Sequence, residues 1–144
     1  MGGPAGAVRA SWEAHRVEPF VLAAVAFVCD GALLTVRKAG TERYLLPGGK
    51  LEPGESPLQA AVREVAEEIG LDVEELTELG VYSAAAANEP GRSLVSTVYV
   101  GELTGEPRAC GEIAELRWSS LVAPPADLAP LLAEHVVPAL LARR

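Results

Sequence analysis

Three glutamates, Glu64, Glu67 and Glu68, fall in the row GKLEPGESPLQAAVREVAEEIGL from Gly49 to Leu71, which also sets Glu55, Arg63 and Gly70 at fixed offsets. On a helix of about 3.6 residues per turn, steps of three and four bring the three carboxylates onto one face, where without neutralisation they would repel. A cation among the oxygens removes that penalty, and hard oxygen donors suit Mg²⁺ or Mn²⁺ better than zinc. Phosphate chemistry is the expectation. A solvated acidic face, supported by Arg63 and Glu67 at i,i+4, would explain the charge but not Gly49 or Glu55.

The carboxylates need a helix to hold them, and the sequence delimits one. Ser56 reads as N-cap, Pro57 as the first helical residue, Gln59 as the partner in a capping box and Gly70 as the C-terminal glycine. Leu58, Ala61, Val62, Val65 and Ile69 form an apolar stripe roughly 125° around the helix from the carboxylates, so one face is expected to pack and the other to coordinate.

The pattern GX5EX7REVXEEXGL from Gly49 to Leu71 resembles the Nudix box of the Nudix hydrolases at every required position. With seven exact residues each occurring at about 6%, a chance match at a given start is of order 10⁻⁹. The resemblance implies that Glu67 and Glu68 are the principal divalent-metal ligands, with Glu64 a further ligand or the base that activates water. It implies that Arg63 orients those glutamates, that Glu55 supports Arg63, and that Gly49 offers its backbone carbonyl to a metal. Lys50 follows as in MutT-like members and is a candidate phosphate contact. Many family members recruit another glutamate from outside the box. Glu112 is the first choice for it here and Glu115 the second.

The implied reaction is attack of water on a diphosphate linkage, whose charge must be neutralised before an anionic nucleophile can approach. The resemblance favours a nucleoside diphosphate derivative, with MutT-like nucleoside triphosphates first. The stretch LLTVRK (33–38) partly echoes the coenzyme A subgroup, but its spacing to PGG is too short. A nucleotide-sensing module that keeps the fold without turnover is the alternative. Arg37 and Arg43 flank the loop before PGG and are candidate phosphate contacts through bidentate geometry.

The 144 residues suit one domain, and 12 Lys and Arg against 20 Asp and Glu give a net charge of −8, opposite to the footprint of a polymeric nucleic-acid binder. A small nucleotide is the expected partner, with room for a homodimer. Cys29 and Cys110 lack metal or redox spacing and read as reduced, and His15 and His135 are isolated. The run FVLAAVAFVCDGALLTV is too short for a membrane span and is broken by Asp30-Gly31, a hairpin signal. No secretory pattern is recognised, and the expected compartment is the cytoplasm.

Along the chain, residues 1–17 read as a flexible tail ahead of a domain spanning 18–144, with Trp12 able to dock. Strands are expected at 20–29, 32–38, 44–46, 76–86, 93–103 and 114–119, and Pro47-Gly48-Gly49 as a turn. A last helix is expected from near Asp127, divided or kinked by Pro138, and Trp118 is expected to pack on the core edge. Strands on both sides of the central helix suggest an α/β fold, and the resemblance implies an α/β/α sandwich with a mixed sheet.

Overall fold

Asp30 and Gly31, at φ of 52° and 77°, form a two-residue turn that returns β1 (Phe20–Cys29) into β2 (Ala32–Lys38). Positive φ at both central residues matches the right-handed twist of the flanking strands. A computed structural model of the chain describes residues 18–143. The expected tail, with Trp12 and His15, lies outside the described residues. No described helix is long and apolar enough to cross a membrane.

The hairpin stays paired only at its tip, Val28 with Leu33 and Cys29 with Ala32, because β3 (Gly48–Lys50) pairs antiparallel with Leu22, Ala23 and Ala24. The residues expected to turn are therefore a strand. Tyr44 and Leu45, expected in a strand, make single bridges to Leu128 and Val36. Glycine makes the difference, since a Cβ on Gly48 would run into the Ala23 carbonyl and stand 2.6 Å from Ala24 Cα.

β4 (Leu76–Ala85) lies antiparallel to β5 (Ser93–Gly101), β5 parallel to β1, and β6 (Ile113–Ser120) antiparallel to β2. The sheet order is β4-β5-β1-β2-β6, with β3 also on β1, giving the mixed sheet expected. β1 is buried on both faces, so its apolar run does not alternate with polar residues. Ala23, Val25 and Phe27 face α1 (Pro57–Ile69), while Ala24 and Ala26 join the core under the C-terminal segment. The layers are α/β/α.

The α1 capping box forms, with the Gln59 backbone N–H donating to Ser56 Oγ at 3.1 Å and Ser56 N–H to Gln59 Oε1 at 2.9 Å. Gly70 ends the helix at φ 73°. The packed face is rotated from the expected stripe: Ala60, Ala61, Val65, Glu68 and Ile69 are buried, whereas Leu58 is 47% exposed. One of the three glutamates thus lies on the packed side.

The C-terminal segment is a π-helix over Leu132–Val136 followed by α2 (Val137–Ala142). Val137 N–H reaches Leu132 O, five residues back, immediately before Pro138, which has no N–H to give. The proline divides the segment as expected, and helix begins at Pro130, three residues after Asp127. That carboxylate is bound by Arg117 at 2.7 and 3.0 Å instead of capping a helix. Trp118 is 43% exposed on the edge strand β6, a correction to its expected packing.

Candidate active site

Glu68 is 5% exposed, and its Oε1 accepts the Gly48 N–H at 3.1 Å. Burial pushes its carboxyl up to about 8, and the nearby charge of Glu64 pushes the same way, while the Gly48 hydrogen bond and the charge of Lys38 oppose the shift. This carboxylate, on the packed side of the helix with one backbone donor, makes no ion pair among the described residues, and Lys38 acts on it only through its more distant charge. Glu64 stands beside it against Gly49, where an added Cβ would lie 2.6 Å from the Glu64 carboxylate carbon. The glycine leaves the space that an oxygen-bound ligand needs.

Arg63 organises the rest. Its Nε and Nη2 donate to Glu55 at 2.7 and 2.9 Å, and Nη1 donates to Glu64 at 2.9 Å and Glu67 at 3.3 Å. Nη2 also reaches the Lys50 carbonyl at 3.1 Å, tying α1 to β3. The Arg63 bonds, with the Glu52 N–H, hold the Glu55 carboxyl down at about 2, and the same carboxylates raise the guanidinium. Glu67 remains the most open of the three, with its side chain 58% exposed.

Among the described residues, no three acidic, histidine or cysteine side chains converge into a finished metal cage. Arg63 lies between the carboxylates and draws Glu64 and Glu67 toward itself. The donors nevertheless suit a hard cation: Glu64, Glu67, Glu68 and the Gly49 backbone supply oxygens alone, and buried Glu68 makes no ion pair among the described residues.

Part of this cluster borders a cavity of about 560 Å³, within the range of small-molecule sites, whose lining does not include Glu67 or Glu68. Gly49, Lys50, Arg63 and Glu64 line it, as do Lys38 and Glu112. Glu112 arrives on the loop before β6, which Cys110 N–H and Arg108 N–H tie to Glu68 O and Ile69 O at the end of α1, both at 3.0 Å. Glu115 goes elsewhere, accepting the Tyr44 hydroxyl at 2.7 Å. The rest of the lining is mostly apolar, with Phe20 and Leu22 next to Lys50, and with Leu94 and Leu131, beside Asn88 and Glu89.

Arg37 and Arg43 are not among the lining residues. Arg37 donates to Thr41 O at 2.9 Å and to Glu115 at 3.4 Å, and Arg43 to Ala126 O at 3.2 Å. Their expected place at substrate phosphates is corrected by these ties. Lys38 is the cation that sequence reasoning missed. Alternation carried the signal: Leu34 and Val36 point toward α1, so the residue two further along the strand does too, whereas Arg37 shares the opposite face with Leu33.

The description "NUDIX domain" matches residues 19–140. The chain belongs to the Nudix family. Among solved structures, a MutT Nudix hydrolase from Burkholderia pseudomallei is 30% identical with a TM-score of 0.70, the alignment covering 86% of this chain and 97% of that one. An 8-oxo-dGTP diphosphatase of Proteus vulgaris is 39% identical over 69 residues, 44% of this chain and 59% of the relative. An ADP-ribose pyrophosphatase of Methanocaldococcus jannaschii is 36% identical over 72 residues, 50% of this chain and 42% of the relative. This Nudix chain thus spans about half the length of these curated relatives.

Proposed function

We propose that this Nudix chain is a divalent-metal-dependent nucleotide pyrophosphohydrolase, cleaving the diphosphate linkage of a nucleoside diphosphate derivative, with a (d)NTP or modified nucleotide first. One observation carries the reading: Glu64 lines a cavity beside Gly49, and buried Glu68, which makes no ion pair among the described residues, stands behind it on the Gly48 N–H. Bound Mg²⁺ or Mn²⁺ would be held by Glu64, Glu67, Glu68 and the Gly49 carbonyl, with Glu112 in reserve, and would supply charge neutralisation at the phosphates and acidification of water.

The protein's own groups do the rest. Arg63, anchored by Glu55, fixes the Glu64 and Glu67 carboxylates and ties the helix to β3. Lys50 and Lys38 offset phosphate charge. A carboxylate oxygen of Glu64 or Glu68 takes the proton of the attacking water as its oxygen bonds to phosphorus and the bridging P–O bond breaks. The apolar lining around Leu94 and Leu131 takes the nucleoside. Both cysteines are free thiols, in keeping with a reducing compartment such as the cytoplasm.

The test is phosphate or pyrophosphate release from dNTPs, 8-oxo-dGTP, ADP-ribose, NADH, diadenosine polyphosphates and sugar nucleotides, with Mg²⁺ or Mn²⁺ and an EDTA control. Metal-dependent turnover of at least one compound is expected. Binding without hydrolysis across the panel overturns the enzyme and favours a nucleotide sensor.

A further inference from the structure

Phe20 begins β1 at the cavity wall, and its ring carries two cations. Lys50 Nζ stands 3.9 Å from the ring centre and Arg92 Cζ 3.8 Å from it. Lys50 comes from β3 and Arg92 from the residue before β5, the two strands that flank the start of β1, so the cations approach the ring from opposite sides. Among the described residues neither cation has a carboxylate partner, although Lys50 is followed by Glu52 and lies near Arg63 and its cluster of glutamates. Arg92 donates one Nη2 bond to the Glu18 carbonyl at 3.1 Å, and its buried Nε has no hydrogen-bond partner, so the aromatic face is a principal contact of that guanidinium.

A lysine ammonium next to a carboxylate cluster would ordinarily settle onto an acid. It would then neutralise an oxygen needed elsewhere and be unavailable to an incoming anion. An aromatic face attracts the ammonium through its quadrupole without cancelling its charge. With both faces covered, the Phe20 ring is not open for a nucleobase to stack on.

Resting on the pyrophosphohydrolase reading for its substrate, we infer that Phe20 is a positioning residue: its ring holds the Lys50 ammonium at the cavity, clear of the glutamates and ready for the diphosphate, while Arg92 braces the other face. Phe20 acts through Lys50 and touches no reacting atom.

The experiment is a double-mutant cycle of Phe20→Leu and Lys50→Gln, with Phe20→Tyr as the ring-keeping control. Two readouts are taken: KM and kcat for the best substrate of the panel, and calorimetric binding of inorganic pyrophosphate with Mg²⁺, which needs no turnover. Phe20→Leu is expected to weaken pyrophosphate binding and raise KM about three- to tenfold with kcat within about twofold. In the Lys50→Gln background it adds nothing, and Phe20→Tyr restores wild-type values. Equal losses with and without Lys50, an unchanged KM and pyrophosphate affinity, or no pyrophosphate binding by the wild type would overturn the inference. If Phe20→Leu does not fold, Arg92→Gln, which leaves the ring but removes its brace, is expected to show the same dependence on Lys50, and its independence of Lys50 would be equally decisive. A wild type that binds pyrophosphate yet hydrolyses nothing refutes the enzymatic reading, whereas active enzyme with Phe20 uncoupled from Lys50 refutes this one.

Discussion

Replacing Glu68 by glutamine should abolish activity and at the same time make the metal-free protein more stable, increasingly so as pH rises. In the folded chain Glu68 keeps its proton to about pH 8, whereas the unfolded chain releases it near the ordinary 4.5. Between those values the native state binds the additional proton, so stability falls as pH increases, by at most about 1.4 kcal/mol per unit. Below 4.5 both states are protonated and above about 8 both are ionised, so the slope disappears at each end. Across the window the loss has a ceiling of about 5 kcal/mol, comparable with the total stability of a small domain. Glutamine keeps the volume and a carbonyl oxygen for the Gly48 N–H but does not titrate. Urea unfolding of both proteins in EDTA, from about pH 5 to about pH 8, isolates Glu68 and its coupling to Glu64 and Lys38, because titrations not coupled to it cancel in the difference. The expected result is a gap that widens in favour of the variant as pH increases and shrinks when Mg²⁺ is added, since the cation stabilises the wild type. Parallel stability curves in EDTA would refute the claim that burial keeps Glu68 protonated well above the ordinary carboxylate range.

Gly49→Ala should lower kcat by about a hundredfold, because its Cβ would press on the Glu64 carboxylate, and steady-state kinetics beside a thermal melt would show activity falling much more than stability. Arg63→Lys should lose about tenfold or more in kcat/KM despite its retained charge, since an ammonium cannot hold Glu55 with two parallel bonds while reaching Glu64 and Glu67. Glu55 is held at about 2 against an ordinary 4.5, so its contribution to stability is complete above 4.5 and is lost as pH falls through about 2. Acid titration of Glu55→Gln by circular dichroism should show a shallower pH dependence than wild type in that interval.

The parts of the fold that were legible in the sequence are those set by local chemistry. Ser56, Pro57, Gln59 and Gly70 bound the helix because each satisfies or omits a particular backbone group, and Asp30-Gly31 makes its turn because few pairs tolerate two positive φ values. Pro47-Gly48-Gly49 reads as a turn because so short a stretch has no periodicity, and what makes Gly48–Lys50 a strand is the contact with Ala23 and Ala24, which are far away in sequence. The burial of Glu68 was equally hidden. A helical wheel places the glutamates relative to one another, but the edge of the sheet decides which of them it covers. Glu112 and Glu115 differ by three positions and were ranked by order alone. The hydrogen bonds of Cys110 and Arg108 to the end of α1 put the first at the cavity, and the Tyr44 hydroxyl holds the second away. Arg37 is a candidate for its phosphate geometry alone, and Lys38, which sequence reasoning did not consider, lines the cavity instead because of the face on which it lies.

The cavity is assembled from two unlike halves. Gly48, Gly49 and the glutamates interlock at distances that leave no room for a methyl group, whereas Asn88, Glu89 and Leu131 come from a loop and a C-terminal segment outside that tight contact. A cutting edge and a replaceable grip follow from this division. Substitutions in the grip can retune which molecule is held while the blade stays in register, so the scaffold suits laboratory selection for new targets at the Asn88 end, and attempts to broaden it from the glycine end should yield inert protein.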